Sequence, residues 1–318
     1  MNTVASPAML KERQIYGPQG RSPWLDVDWR THQHWITIND QRINLVELGE
    51  GPPLLFIHGL SGSWPNWLEQ LPVFAGRPGP ANGSPPVTTH RVIALDLPGF
   101  GHSPMPAEPI SISGYARTID ALLDALELDA AAIVGNSMGG FVAAELAINF
   151  PQRVERLALV SPAGISTYNN PGATRALPSL RRIENVIGAY TGWVAAHSDA
   201  VARRPGLRNA AFGLVARHPG RLPAALVAEQ IRGAGKPGFI QGLAANLDYD
   251  FRHRLGEIAC PTLVVWGDRD RVITVRDAEV YSELIPGARK VIFEDTGHVA
   301  MLERPAAFNA LLDEFLNE

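Results

Sequence analysis

A serine hydroxyl becomes a useful nucleophile only when it is exposed, oriented and close to a base. The segment GNSMGG at 135–140 has the pattern for the first two conditions. Before it, AAIVGNS (131–137) reads as a strand; after it, residues 138–150 read as a helix stopped by Pro151. A tight strand-to-helix turn exposes the hydroxyl of Ser137 and forces its backbone into strain. Gly135 and Gly139, two positions either side, keep neighbouring chains from clashing. The same turn sets the Met138 amide at a helix N-terminus, where the N–H and the helix dipole stabilise a developing oxyanion. G-x-S-x-G also arises by chance in Gly-rich chains, so the flanking strand and helix carry the weight of the nucleophile reading.

Such a turn needs a sheet to hold it. The runs 32–38 and 42–49 alternate like two strands joined at Asn39 and Asp40, and LLFIHG (54–59) is a continuous apolar run of the buried parallel kind. A helical segment near 64–74 precedes a Gly- and Pro-rich loop at 77–86. Strand and helix then alternate: strands at 91–99, 131–137 and 156–162, helices at 112–128 and 138–150. The rhythm breaks from 163 to 250 and resumes with strands at 262–267 and 289–294 and helices near 275–284 and 308–316. Thr274 and Asp277 are spaced as a capping pair for the first of these helices. This order predicts an α/β fold: a mostly parallel central sheet with helices on both faces. Residues 26–162 and 251–318 form its core, 163–250 an inserted helical cap, and 1–25 a tail or arm on the surface.

Taken in order, HGL (58–60), DLPGFGHS (96–103), GNSMGG (135–140), WGDRD (266–270) and TGHVAMLERP (296–305) resemble the α/β-hydrolase superfamily. The resemblance implies a Ser…Asp…His chain order, which matches Ser137, an aspartate after the seventh strand, and His298. The family pattern W-G-x-x-D selects Asp270; Asp268 is then a turn-ordering side chain. By the same resemblance the Leu60 amide pairs with that of Met138 as an oxyanion hole, and His58 orders its loop. Asp96, Gly99 and Gly101 are read as structural, and Cys260 as a small buried hydrophobe. His32, His34, His90, His197, His218 and His253 are read as core or surface histidines.

The implied activity is hydrolysis of small to medium carboxylic esters through an acyl-enzyme. A second resemblance, to meta-cleavage-product hydrolases that split carbon–carbon bonds in ring-fission dienoates, rests on GNSMGG and SWPNW (63–67). It implies that Asn136 and Asn66 line the site. Val299 stands where that group has an aromatic residue, and the HGL loop is shorter than its counterpart. A third reading, a non-catalytic binding member of the fold, leaves a strained serine without a purpose.

The 318 residues are 46% hydrophobic and 19% charged, enough for a sizeable core, and the formal charge of −4 gives no footprint for nucleic acid. One cysteine excludes an internal disulfide and a Cys-cluster metal site. GFGHSP (99–104) lacks the third glycine of a dinucleotide fingerprint, and neither a P-loop nor H-E-x-x-H occurs. The expectation is therefore no cofactor, no metal, no transmembrane segment and a cytoplasmic location. The partner is a small-molecule ester, with a homodimer as an option. Between Gly164 and Leu255, 12 Lys and Arg stand against 5 Asp and Glu. The ordinary reading of that excess is a solvated basic face; the sharper one puts some of Arg175, Arg181 and Arg182 at the cleft to attract carboxylates.

Overall fold

The computed structural model of the chain describes residues 15–76, 89–168, 170–182 and 191–318. Its strands are β1 (Gln33–Ile38), β2 (Gln41–Leu48), β3 (Pro53–Ile57), β4 (Arg91–Leu95), β5 (Ala131–Asn136), β6 (Val154–Val160), β7 (Thr262–Gly267) and β8 (Arg289–Phe293). They form one sheet in the order β1-β2-β4-β3-β5-β6-β7-β8. Asn39 and Asp40 both take positive φ, 47° and 65°, the backbone of a two-residue hairpin turn. The β1–β2 and β2–β4 pairings are antiparallel, and all the others are parallel. Central parallel strands must be apolar on both sides; β5 and β7 are buried at every position. The expected architecture is the observed one.

Helices Ile112–Ala125, Met138–Asn149 and Arg276–Leu284 cover one face, while Leu71–Phe74 and Pro305–Leu316 cover the other. The Met138–Asn149 helix is buried on all sides because apolar residues surround its axis. Its one charged side chain, Glu145, accepts from Ser113 Oγ at 2.8 Å and from the Tyr249 hydroxyl at 2.9 Å.

Between β6 and β7 the described residues are helical or irregular and include no strand. Helices Pro171–Arg182, Ser198–Arg203, Pro205–Phe212, Ala224–Arg232 and Phe239–Asp248 follow one another there. Leu226, Val227 and Ile231 join the buried cluster of Phe56 and Phe308. Where the segment returns, Phe141 of the serine helix packs against Phe251 at 4.3 Å and stacks on Tyr249 at 5.8 Å. Burial of each such ring contributes about 1.5–3 kcal/mol. Among the described residues no helix is long and apolar enough to cross a membrane.

Several expectations change. From residue 16 the N-terminal stretch is an anchored strap, with Tyr16 and Trp24 buried in the core. Its Ser22 Oγ and Trp24 Nε1 both donate to buried Glu69 at 2.8 Å. Apolar Tyr and Trp bodies with polar tips suit such a strap. The helix near 64–74 is a 3₁₀ turn, Trp64–Trp67, followed by the single turn Leu71–Phe74, each with a proline as its second residue. Thr274 and Asp277 form no capping pair, because the Asp277 carboxylate turns to the Ser166 N–H at 2.8 Å. Cys260 is half-buried. The predicted loop 77–86 lies outside the described residues.

Candidate active site

Ser137 joins β5 to the Met138–Asn149 helix with φ 57° and ψ −121°, a strained conformation for a side-chain-bearing residue. Its N–H donates to the Val160 carbonyl at 3.0 Å, and its own carbonyl accepts from Ala163 and Phe141 N–H at 3.0 and 3.1 Å. These bonds hold the turn against the end of β6. Close approach requires glycine at two points. A Cβ at Gly139 would lie 2.3 Å from the Ile57 carbonyl oxygen, and one at Gly59 would lie 2.9 Å from Ser137 Cβ.

His298 Nδ1 lies 2.7 Å from Asp270 Oδ2, and the two side chains are 5% and 0% exposed. The other carboxylate oxygen accepts from Val272 and Ile273 N–H at 2.8 and 2.9 Å. A carboxylate only accepts, so Nδ1 carries the ring proton and Nε2 is left unprotonated. Asp268 serves elsewhere: its Oδ1 accepts the Thr296 N–H at 3.3 Å, and Oδ2 pairs with Arg269.

Asn136 couples the serine turn to the histidine loop. Its Nδ2 donates to Val160 O at 3.0 Å and to His298 O at 3.3 Å. Asn66 is committed to the fold, with Oδ1 accepting from Ser63 N–H at 3.0 Å and Nδ2 donating to Gln230 Oε1 at 2.9 Å. Gln230 Nε2 in turn donates to Pro65 O at 2.9 Å, clamping the Ala224–Arg232 helix to the W-P-N-W turn. Asn136 thus has both amide N–H groups committed to backbone carbonyls, whereas Asn66 has one of its two N–H groups committed. Val299 is buried at the head of the short Ala300–Glu303 helix.

Leu60 and Met138 come together beneath the Phe239–Asp248 helix. A Cβ at Gly242 would lie 2.9 Å from Leu60 Cδ1 and 3.4 Å from Met138 Sδ. Met138 is the first residue of its helix, and the leading N–H groups of a helix have no intrahelical partner. The loop carrying Leu60 is fixed by His58. Leu97 N–H donates to His58 Nε2 at 3.0 Å, so Nδ1 must carry the proton and donates to Gly59 O at 2.7 Å. Burial pulls the pKa of this fully enclosed ring below its usual value. Asp96 orders the next loop, with Oδ2 accepting from Asn44 Nδ2 at 2.7 Å and from His102 N–H at 2.8 Å. Its Oδ1 accepts from Trp64 N–H at 2.8 Å.

Glu303 escapes a reading of the sequence, although it sits within TGHVAMLERP. It is fully buried and accepts from Gly297 N–H at 2.9 Å and Val299 N–H at 3.4 Å, the amides flanking His298. It also accepts from Arg217 N–H at 2.8 Å and from the Tyr16 hydroxyl at 2.6 Å. Burial pushes its carboxyl upward, while these donors pull it back. Arg304 completes the brace, donating through Nε to Thr296 Oγ1 and through Nη2 to Glu294 O, both at 3.0 Å. Arg175 is exposed, and the side chains of Arg181 and Arg182 lie outside the described residues.

A mostly parallel sheet with a strained serine at the strand-to-helix turn, and an aspartate–histidine pair on the loops after β7 and β8, defines a class. The model of the alpha/beta hydrolase fold family matches residues 52–305, and the chain belongs to that family. It is a hydrolase of this fold. Among its relatives, a 2-hydroxymuconate semialdehyde hydrolase of Pseudomonas putida is 31% identical, the match covering 87% of this chain and 91% of that protein. The dihydrolipoyllysine-residue acetyltransferase component of the acetoin cleaving system of Cupriavidus necator is also 31% identical, over 98% of this chain and 78% of that protein. Among solved structures, an N-acyl homoserine lactone degrading enzyme superposes with TM-score 0.68 at 29% identity, covering 89% of this chain and 100% of that one.

Proposed function

We propose that the chain is a serine hydrolase of small to medium carboxylic esters, with Ser137 as nucleophile, His298 as base, Asp270 as its orienting acid and the Leu60 and Met138 amides as the oxyanion hole. The observation that carries it is the 2.7 Å contact of His298 Nδ1 with buried Asp270, which leaves Nε2 as the base. In this reading Nε2 takes the Ser137 proton as Oγ bonds to the ester carbonyl carbon. The two amides hold the oxyanion; one such donor is worth about 100- to 1000-fold in rate. On collapse the carbon–oxygen bond to the alkoxy group breaks, and the alcohol leaves with the proton from His298. Water then attacks the acyl carbon, giving its proton to Nε2, and the acid departs as Ser137 recovers its own. The inserted helices act as a cap over this site.

A second reading, hydrolysis of a carbon–carbon bond in a ring-fission dienoate, is supported by the semialdehyde hydrolase relative. Against it stands Asn136, whose two amide N–H groups are committed to Val160 O and His298 O. A series of nitrophenyl esters assayed beside a ring-fission dienoate decides between the two. Esters should turn over with the higher kcat/KM, and a fluorophosphonate should label Ser137 but not the Ser137→Ala variant. A preference for the dienoate would transfer the assignment to the second reading; absence of labelling would remove Ser137 as nucleophile.

A further inference from the structure

Outside the site just described, a cavity of about 600 Å³ opens where the inserted segment meets the core, lined by Asn209, Leu214, Arg217, His218, Arg221 and Arg271 among others. Its size lies within the range of small-ligand pockets. No carboxylate lines it among the described residues. Asp295, beside two of the lining residues, is already shared between Arg217 Nε at 3.1 Å and His218 Nε2 at 2.8 Å. Arg221 and Arg271 have no carboxylate partner among the described residues. Arg221 is nevertheless held in place, its guanidinium lying 4.8 Å from the Tyr16 ring centroid. Two of the three guanidinium groups are thus ordered before any ligand arrives, which lowers the entropy lost on binding.

We propose that this cavity binds a small molecule through a carboxylate or phosphate group, held by Arg221, Arg271 and Arg217, and that its occupancy is felt at His298. Planar guanidinium forks suit such oxyanions, and the Asn209 amide adds a neutral donor. The wall of the cavity is bonded directly to the histidine loop. Val215 O accepts the His298 N–H at 2.8 Å, and Arg217 N–H donates to Glu303 Oε2 at 2.8 Å. Arg271 immediately follows Asp270 in the chain. An occupant that draws Arg217 and Arg271 together acts on both loops that carry the acid and the base.

The site can be tested with inorganic phosphate and with succinate, each titrated calorimetrically into the full chain against sodium chloride at matched ionic strength. Saturable one-to-one binding is expected for one or both, weakened about tenfold or more in Arg221→Gln and in Arg271→Gln. Which probe binds distinguishes a phosphate ligand from a carboxylate one. Arg271 is exposed and forms no bond that the fold uses, so Arg271→Gln decides the matter if Arg221→Gln unfolds. Heat that never saturates, or binding unchanged in the Arg271 variant, would overturn the site. The effector role rests on the serine-hydrolase reading and is measured separately, as a change of about fivefold in ester turnover that Arg271→Gln abolishes. Saturable binding without that change would overturn the effector role alone. The binding experiment holds whether or not esters prove to be the substrates.

Discussion

The hydroxyl of Tyr16 stands 2.6 Å from Glu303 Oε2, joining residues 287 positions apart. It also accepts the His218 N–H at 2.8 Å, so one phenol ties the N-terminal strap to both the histidine loop and the inserted segment. Tyr16→Phe leaves a buried carboxylate oxygen short of a donor and a backbone N–H short of an acceptor. The expected loss is about 1–3 kcal/mol of stability, read by denaturant unfolding. Glu303→Gln should cost more, because a Gln NH₂ would face donors from Tyr16 and Arg217. Through the slackened Gly297 and Val299 amides it should lower kcat while leaving KM nearly unchanged. An unchanged kcat in Glu303→Gln would show that its contacts with Gly297 and Val299 do not position His298.

The two aspartates of WGDRD are separated by geometry. Asp270→Asn replaces the acceptor at His298 Nδ1 by a group that can hold the wrong tautomer, and kcat should fall by about 10⁴-fold. Asp268→Asn keeps an oxygen for the Thr296 N–H and loses only the half-exposed pair with Arg269. Its effect should stay within about 1 kcal/mol in stability and be small in rate. Steady-state kinetics of the two variants on one ester measure the contrast; comparable losses would count against the assigned acid.

His58 supplies a pH dependence of folding. Its folded pKa is depressed by burial, so the unfolded chain binds the proton more readily below about pH 6.5. Stability from this group is therefore complete above that value and drains away as pH falls toward the folded pKa, by at most about 1.4 kcal/mol per pH unit. A protonated ring would also set a donor against the Leu97 N–H. His58→Gln, which does not titrate, should be less stable at pH 7.5 yet lose less between pH 6.5 and 5 than the wild type. Parallel unfolding curves across that range would contradict the assignment.

What the sequence displays here is local. Asn39 and Asp40 mark their hairpin because only certain residues enter positive φ readily, and GNSMGG marks its turn by glycine spacing. Asp270 is distinguishable from Asp268 only through a family pattern, since both are loop carboxylates within one pentapeptide. The contacts between distant residues left no periodic trace. Asn66 to Gln230 spans 164 positions and Ser22 to Glu69 spans 47. Each is a pair of ordinary polar residues until the chain folds. The Thr274–Asp277 spacing misled because a tertiary donor, Ser166 N–H, competes for the carboxylate.

The Phe239–Asp248 helix is held close to the core by a glycine. A Cβ at Gly242 would meet Leu60 Cδ1 at 2.9 Å, Phe100 Cζ at 3.2 Å and Met138 Sδ at 3.4 Å. Gly242→Ala gains up to about 1 kcal/mol of helix propensity, and a slight turn of the Leu60 tip absorbs the added methyl. Stability should therefore change little. Gly242→Val adds two further methyl groups between Leu60, Phe100 and Met138, an overpacking of about 1–3 kcal/mol. Relief comes from displacing either the helix or Leu60, and the Leu60 amide is one of the two proposed oxyanion donors. The valine variant should lose at least about tenfold in kcat, a fraction of what a full oxyanion donor contributes, while alanine stays close to wild type. If valine lowers the melting temperature but leaves kcat intact, the helix has moved and Leu60 has not. If kcat falls with no loss of stability, the loop has yielded instead.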